Sequence, residues 1–126
     1  GAYIAGIGHK KYRLDNPDPR VARLVSLFSA DPGPHMTFAR SVEKITTAKK
    51  SQLILNVDGA IAAICLDILE QHEIYTNQEI QELIDIEFFN AIFILARSFG
   101  FAAHALEQRR LGEGLFRLPD DDMSSL

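Results

Sequence analysis

The chain has 126 residues, of which 47% are hydrophobic and 24% charged, which suffices for one domain with a core of its own. The formal net charge of −4 excludes a protein built mainly to bind nucleic acid, because such a protein needs a basic face. The single cysteine, Cys65, excludes a disulfide framework and predicts a reducing, cytoplasmic setting. We expect no signal peptide and no membrane segment, since Asp67 and Arg97 interrupt the longest apolar runs.

Two helices are predicted in the first part of the chain. The first sixteen residues contain three glycines and no helical period, which predicts a structured loop. Prolines in segment 16–19 then start a helix that extends to about Ala30, because a first turn tolerates a missing amide donor. The cluster 31–34 breaks this helix, and a second one follows and ends near Lys49 and Lys50.

Residues 53–69 are apolar on almost every side. This pattern predicts a short approach segment and then a buried helix at the centre of the core. Further along, Thr76 and Glu79 have the spacing of a capping box, which opens a fourth helix. We predict a turn near Glu87.

The last predicted helix runs from about Phe89 to Arg109 and is apolar on nearly every side. Such a helix must hide all its faces, so we expect another domain or a symmetry mate to cover it. Residues 119–126 are predicted to form an acidic mobile tail. The chain as a whole is therefore expected to be all-α.

Two local features suit acid–base chemistry. Gly6, Ile7 and Gly8 form a loop of permissive backbone that ends in the imidazole of His9, although an ordinary turn is the alternative. Asp58 lies within an apolar run, where a desolvated carboxylate has a raised proton affinity and suits a general acid or base. The simpler role for Asp58 is that of a helix N-cap, and the local sequence leaves both roles open.

Several cations could hold an anionic ligand. Arg97 lies among apolar residues and should need an anionic partner, either a carboxylate of the protein or one of a substrate. Arg20 and Arg117 could have the same role, although their local sequence favours a solvated surface position. Lys49 and Lys50 could meet phosphates or simply mark a hydrated helix end. The sequence has no metal-ligand spacing and no glycine-rich nucleotide motif.

Five segments, in order along the chain, together resemble the C-terminal citryl-CoA lyase segment of ATP-citrate lyases, within the citrate synthase superfamily. The segments are Gly6–His9, Asn16–Arg20, Val42–Lys50, Leu53–Gly59 and Leu95–Phe101. The Glu-Lys-Ile-Thr-Thr stretch in the third segment, and the spacing between the first two, resemble the lyase branch more than citrate synthases.

The resemblance implies a citrate synthase-like small domain of about five helices with a returning long helix, over residues 1–118. It implies that His9 hydrogen-bonds the oxygen that is a hydroxyl in citryl-CoA and a carbonyl in oxaloacetate. It also implies that Asp58 exchanges the proton on the acetyl methyl carbon. The implied ligands of the substrate carboxylates are Arg20, Arg97 and Arg117, and those of coenzyme A are Gly6, Ile7, Gly8, Lys49 and Lys50. No metal is implied.

The resemblance also implies that the site is incomplete. The family's other catalytic histidine, which polarises the thioester carbonyl, lies upstream of the matched segment, so we expect little activity from these residues alone. An upstream large domain and a second copy of the chain are the expected partners. Two alternatives stay open: a citrate synthase that condenses acetyl-CoA with oxaloacetate, and a non-catalytic module for coenzyme A binding or oligomerisation.

Overall fold

A computed structural model of the protein describes residues 3–28, 32–73 and 75–114. Within these ranges it contains five helices: α1 (Pro19–Phe28), α2 (Pro34–Thr47), α3 (Val57–Gln71), α4 (Asn77–Asp85) and α5 (Phe88–Leu111). The predicted all-α class and number of helices are confirmed. The chain divides into two units, Gly1–Phe93 and Ile94–Leu126. The predicted end of α1 at Ala30 and the predicted acidic tail lie outside the described residues.

The core of the first unit is built around α3, as the apolar run predicted. Four side chains of this helix are buried, and α1 and α2 both pack against it. The buried cluster comprises Ile7, Val21, Met36, Leu55, Val57, Ala60, Ala63 and Ile64. Ala60 is fully buried, so other segments of the same chain approach the N-terminal half of α3 closely. The helix that carries Asp58 is therefore held from several sides.

Carboxylates satisfy the amides at two helix starts. The N-cap of α2 is Gly33, which has no side chain to offer, and Asp67 of α3 takes over this role. Its two oxygens accept from the amides of His35 at 2.8 Å and of Met36 at 3.1 Å. These bonds satisfy free donors and place negative charge at the positive end of α2. At α4 the predicted capping box is present.

Helix α5 follows a turn at Glu87, which adopts a φ of 58°. Phe89 in its first turn is buried, whereas many later apolar side chains are exposed, with Phe99 at 70% and Leu106 at 66% of their full accessibility. By length and composition alone α5 could cross a membrane, which the sequence analysis did not expect. One such helix is weak evidence for a membrane, because apolar core helices pass the same test. The exposed apolar side chains of α5 are in keeping with a helix that needs a partner.

Candidate active site

Segment 52–56, which leads into the start of α3, is hydrogen-bonded to the predicted glycine loop. The amide of Gly8 donates to the carbonyl of Ile54 at 2.7 Å, and that of His9 donates to Gln52 at 3.1 Å. In the other direction, the amide of Asn56 donates to the carbonyl of Gly6 at 2.9 Å. These bonds resemble a short antiparallel pair of strands. They bring His9 and Asp58, which are far apart in sequence, to the two ends of one paired segment.

The loop and α3 meet at two glycines. Gly6 has a φ of +77°, and a Cβ added to it would lie 2.7 Å from the Cα of Gly59. A Cβ on Gly59 would in turn lie 2.6 Å from the carbonyl oxygen of Gly6. Only residues without a side chain allow the two backbones to approach this closely. Neither the contact nor the role of Gly59 was predicted, because a glycine near a helix start has many explanations.

Asn56 is the N-cap of α3, and Asp58 is not. The Oδ1 of Asn56 accepts from the amide of Gly59 at 3.0 Å, while its Nδ2 donates to the carbonyl of Gly8 at 3.2 Å. Asn56 therefore fixes the helix start and the glycine loop at the same time. Because Asn56 already provides the cap, the carboxylate of Asp58 is not needed there. The role of N-cap, which the sequence left open for Asp58, is excluded.

The Asp58 carboxylate lacks a partner for one of its oxygens. Its Oδ1 is buried and has no hydrogen-bond partner within the part of the chain that the structure describes. The side chain lines an open cavity of about 400 Å³ with Gly6, Phe89 and Asn90. A buried polar atom without a partner is costly. Because the Asp58 side chain also lines a cavity, its carboxylate is a candidate to meet a ligand.

His9 is oriented by the backbone that follows it. Its Nδ1 accepts from the amides of Lys11 at 3.1 Å and Tyr12 at 3.0 Å. Since Nδ1 accepts both bonds, the proton of the neutral ring lies on Nε2. The Tyr12 ring lies beside the imidazole, with 4.7 Å between the ring centroids. His9 can therefore offer an N–H donor to a substrate oxygen.

Arg20 is fixed by Asp18, whose side chain is fully buried. The guanidinium donates from Nη2 to Oδ2 of Asp18 at 2.7 Å and from Nε to Oδ1 at 3.0 Å. Asp18 also caps α1, since its Oδ1 accepts from the amide of Arg20 at 3.0 Å. Sequence reasoning missed Asp18, although an aspartate directly before a proline at a helix start was a signal for this cap.

The charges of this pair affect each other. Burial acts to raise the pKa of Asp18, but the hydrogen bonds and charge of Arg20, together with the charge of His9, hold that pKa below its ordinary value. The pKa of Arg20 is raised, mainly by the hydrogen bond to Asp18 and further by the negative charges of Asp18 and Asp58, although burial acts to lower it. The pair therefore stays ionised and lies within electrostatic reach of both His9 and Asp58.

The structure does not place His9 and Asp58 in the same cavity. His9 lines a second opening of about 490 Å³, with Lys10, Arg13 and Gln52. What links the two candidate groups is the paired segment between them and the Asp18–Arg20 pair, which interacts electrostatically with both. The charge of Asp58 acts on the pKa of Arg20, so these two groups lie within electrostatic range of each other.

We predict that Asp18→Asn lowers the free energy of unfolding by about 2 kcal/mol at pH 7. This is less than the loss for a fully buried pair, because the side chain of Arg20 is 40% exposed. The folded-state pKa of Asp18 lies below the unfolded value of about 3.9, so its stabilisation is full above about pH 4 and is lost as the pH falls through the folded value. Urea unfolding at several pH values measures this difference.

The control for this experiment is Asp85→Asn, which removes an exposed carboxylate at the end of α4. It should leave stability within about 0.5 kcal/mol of the parent. Equal stability of Asp18→Asn and Asp85→Asn at pH 7 would show that the Asp18–Arg20 pair contributes nothing.

The two cations predicted to meet coenzyme A, Lys49 and Lys50, come just before the segment that is hydrogen-bonded to the His9 loop. Lys49 and Lys50 are exposed and follow the end of α2 at Thr47, since the helix ends slightly earlier than predicted. They lead directly into the segment that pairs with Gly8 and His9. Lys10 and Arg13, which sequence reasoning did not single out, line the His9 opening, whose described lining includes no carboxylate.

The other two predicted arginines are not placed in this site. Arg97 is exposed, and its guanidinium lies over the Phe101 ring, 5.5 Å from the centroid. Leu95 and Phe99, apolar neighbours of Arg97, are exposed as well, and the anionic partner of Arg97 stays a prediction. Arg117 lies outside the described residues.

Comparison with known families decides what kind of domain this is. Residues 1–118 match the model of the citrate synthase C-terminal domain. The chain belongs to this family. Among related citrate synthase domains, the chain is 48% identical over 130 residues to a probable ATP-citrate synthase of Caenorhabditis elegans, covering 98% of this chain and 12% of that protein. It is 47% identical over 128 residues to the ATP-citrate synthase of Homo sapiens, covering 98% and 11%.

Two solved structures share the fold of this citrate synthase domain. One is an ATP citrate lyase from Methanothrix soehngenii in complex with citrate and coenzyme A, at 40% identity and a TM-score of 0.74. The other is a mutant ATP citrate lyase from Methanosaeta concilii in complex with (3S)-citryl-CoA, at 40% identity and a TM-score of 0.76. Each match covers 98% of this chain and 20% of the neighbour. The chain thus spans about a fifth or less of the proteins it is compared with here, and the predicted resemblance is confirmed.

Proposed function

We propose that this domain supplies part of a citryl-CoA lyase site, which cleaves citryl-CoA to acetyl-CoA and oxaloacetate. The observation that carries the proposal is the Asp58 carboxylate. It takes no part in helix capping, it has a buried oxygen without a partner among the described residues, and its charge acts on Arg20. Relatives named ATP-citrate synthase, and neighbours that bind citrate or citryl-CoA, support the lyase over a citrate synthase or a non-catalytic module.

The proposed roles follow from the chemistry of the cleavage. Breaking the carbon–carbon bond turns the citryl hydroxyl into a carbonyl and leaves negative charge on a thioester enolate. In the proposal, the Nε2–H of His9 holds the oxygen that changes from hydroxyl to carbonyl. The proton that the hydroxyl loses passes to water, while protonated Asp58 delivers its own proton to the enolate carbon. In the condensation direction the carboxylate form of Asp58 removes that proton from carbon, and water returns one to the oxygen. Arg20, held in place by Asp18, binds a substrate carboxylate.

We place the phosphates of coenzyme A on the cations around the glycine loop. Lys10 and Arg13 line the His9 opening, and the exposed Lys49 and Lys50 precede the segment paired with this loop. Phosphates are bound well by such clusters of basic side chains and backbone amides. Gly6, Ile7 and Gly8 then bring the loop backbone close to the ligand, as the sequence predicted. No metal takes part in this proposal.

Further parts of a longer protein, and a second copy of this chain, complete the site in this proposal. The exposed apolar side chains of α5 support a protein partner, because a continuous apolar patch of this kind marks an interface. Arg97 and Arg117 reach substrate carboxylates only in such an assembly. We therefore propose that the 126 residues alone have little activity. A reducing cytoplasmic location, suggested by the lone Cys65, stays a prediction.

The test is an assay of citryl-CoA cleavage by the natural protein that carries this sequence, with oxaloacetate release as the readout. We expect turnover by the parent, and a loss of about 10²-fold in kcat for His9→Ala, which removes the donor to the substrate oxygen. The matched control is His72→Ala, at the exposed C-terminal end of α3, which should keep parental activity. No cleavage by the parent, or full turnover by His9→Ala, would refute the proposal.

A further inference from the structure

The segment that joins the two candidate groups is held on a second side by α2. The amide of Leu55 donates to Oε1 of Glu43 at 2.7 Å. The hydroxyl of Thr46 donates to the carbonyl of Leu53, with 2.6 Å between the oxygens. Two side chains of a helix thus bond the backbone on one side, while the glycine loop bonds it on the other.

These bonds are sheltered from water. Thr46 is 7% exposed and Leu55 is 3% exposed, and the side chain of Glu43 is 17% exposed. A buried backbone donor or acceptor needs a partner, and in a sheet a second strand would provide it. Here Glu43 and Thr46 take the place of that strand. Glu43 is itself held, since its Oε2 accepts from Nη1 of Arg40 at 2.7 Å.

We infer that Glu43 and Thr46 are positioning residues that set the placement of His9 relative to Asp58. The segment they hold receives the amides of Gly8 and His9, and it leads through Asn56 directly into the helix that carries Asp58. A shift of this segment therefore moves both groups. Arg20 is set by Asp18 at the start of α1, so carboxylate binding depends less on the segment. This inference rests on the proposed function.

The test uses Thr46→Val in the natural protein, because valine keeps the volume and removes the hydroxyl. We expect kcat for citryl-CoA cleavage to fall at least 10-fold while KM changes less than about 3-fold, since a misplacement of roughly 1 Å is costly for turnover. Thr46→Ser, which restores the hydroxyl, should recover most of the loss. Glu43→Gln, which keeps an acceptor for the Leu55 amide, should lose less than Glu43→Leu.

The matched control is Thr47→Val. Among the described residues, the hydroxyl of Thr47 bonds only to carbonyls of its own helix, those of Glu43 at 2.7 Å and Lys44 at 3.4 Å. The same chemical change one residue along should therefore leave kcat at the parental value. Amide hydrogen exchange gives a readout that does not depend on catalysis. Exchange at Gly8 and His9 should be faster in Thr46→Val and unchanged in Thr47→Val.

Two results would overturn the inference. One is parental kcat and parental exchange in Thr46→Val. The other is a fall in kcat with an equally large change in KM and faster amide exchange throughout the chain, which would indicate a general loosening of the fold. Neither result bears on the proposed function, which fails separately if the parent does not cleave citryl-CoA.

Discussion

Replacing Asp58 by asparagine should reduce citryl-CoA cleavage about 10³-fold, within the range found for the loss of a general acid or base. Asparagine has nearly the same shape and cannot exchange a proton with carbon. The fold should remain intact, because Asn56 and not Asp58 caps α3. Steady-state assays of the natural protein with citryl-CoA measure the effect, and we expect it in kcat and kcat/KM alike.

Asp85→Asn is the matched carboxylate control for this prediction. Asp85 is exposed at the end of α4, where it accepts a hydrogen bond from Gln81 at 2.8 Å. Its loss should leave turnover unchanged. If Asp58→Asn retained more than a tenth of the parental kcat, Asp58 would not be the proton-exchanging group, and its unpaired oxygen would need another explanation.

Gly59→Ala should lower both stability and turnover. A Cβ at this position would lie 2.6 Å from the Gly6 carbonyl oxygen and 2.8 Å from a methyl carbon of Leu55. Since backbone atoms and a buried side chain cannot both yield, we expect a loss of about 1–3 kcal/mol in the free energy of unfolding. The displaced loop carries His9, so kcat should fall by about 10²-fold as well. Urea unfolding and the cleavage assay measure the two effects.

Gly100→Ala provides a clear contrast. Gly100 lies within α5, and a Cβ added there meets no described atom within 4 Å. Alanine favours a helix over glycine by up to about 1 kcal/mol, so this variant should be as stable as the parent or more so. Equal behaviour of the two alanine variants would mean that Gly6 and Gly59 do not need their close contact.

The helices and the family could both be predicted from the amino-acid sequence. The capping box at Thr76, the prolines before α1 and the apolar run of α3 are local signals, because caps and helical periods act between residues a few positions apart. Five short segments in order were enough to indicate the citrate synthase family. They also singled out His9 and Asp58 as candidate groups.

The contacts that these residues make with one another follow only from the folded structure. In the sequence, Asn56 and Asp58 both suited a helix cap. In the structure, the side chain of Asn56 also donates to the carbonyl of Gly8, which is distant along the chain. The buried Asp18, the Gly6–Gly59 contact and the bonds from Glu43 and Thr46 likewise depend on which backbone atoms meet across the fold. A sequence pattern fixes which face of a helix is apolar, but the partner of a polar atom is set by contacts between distant segments.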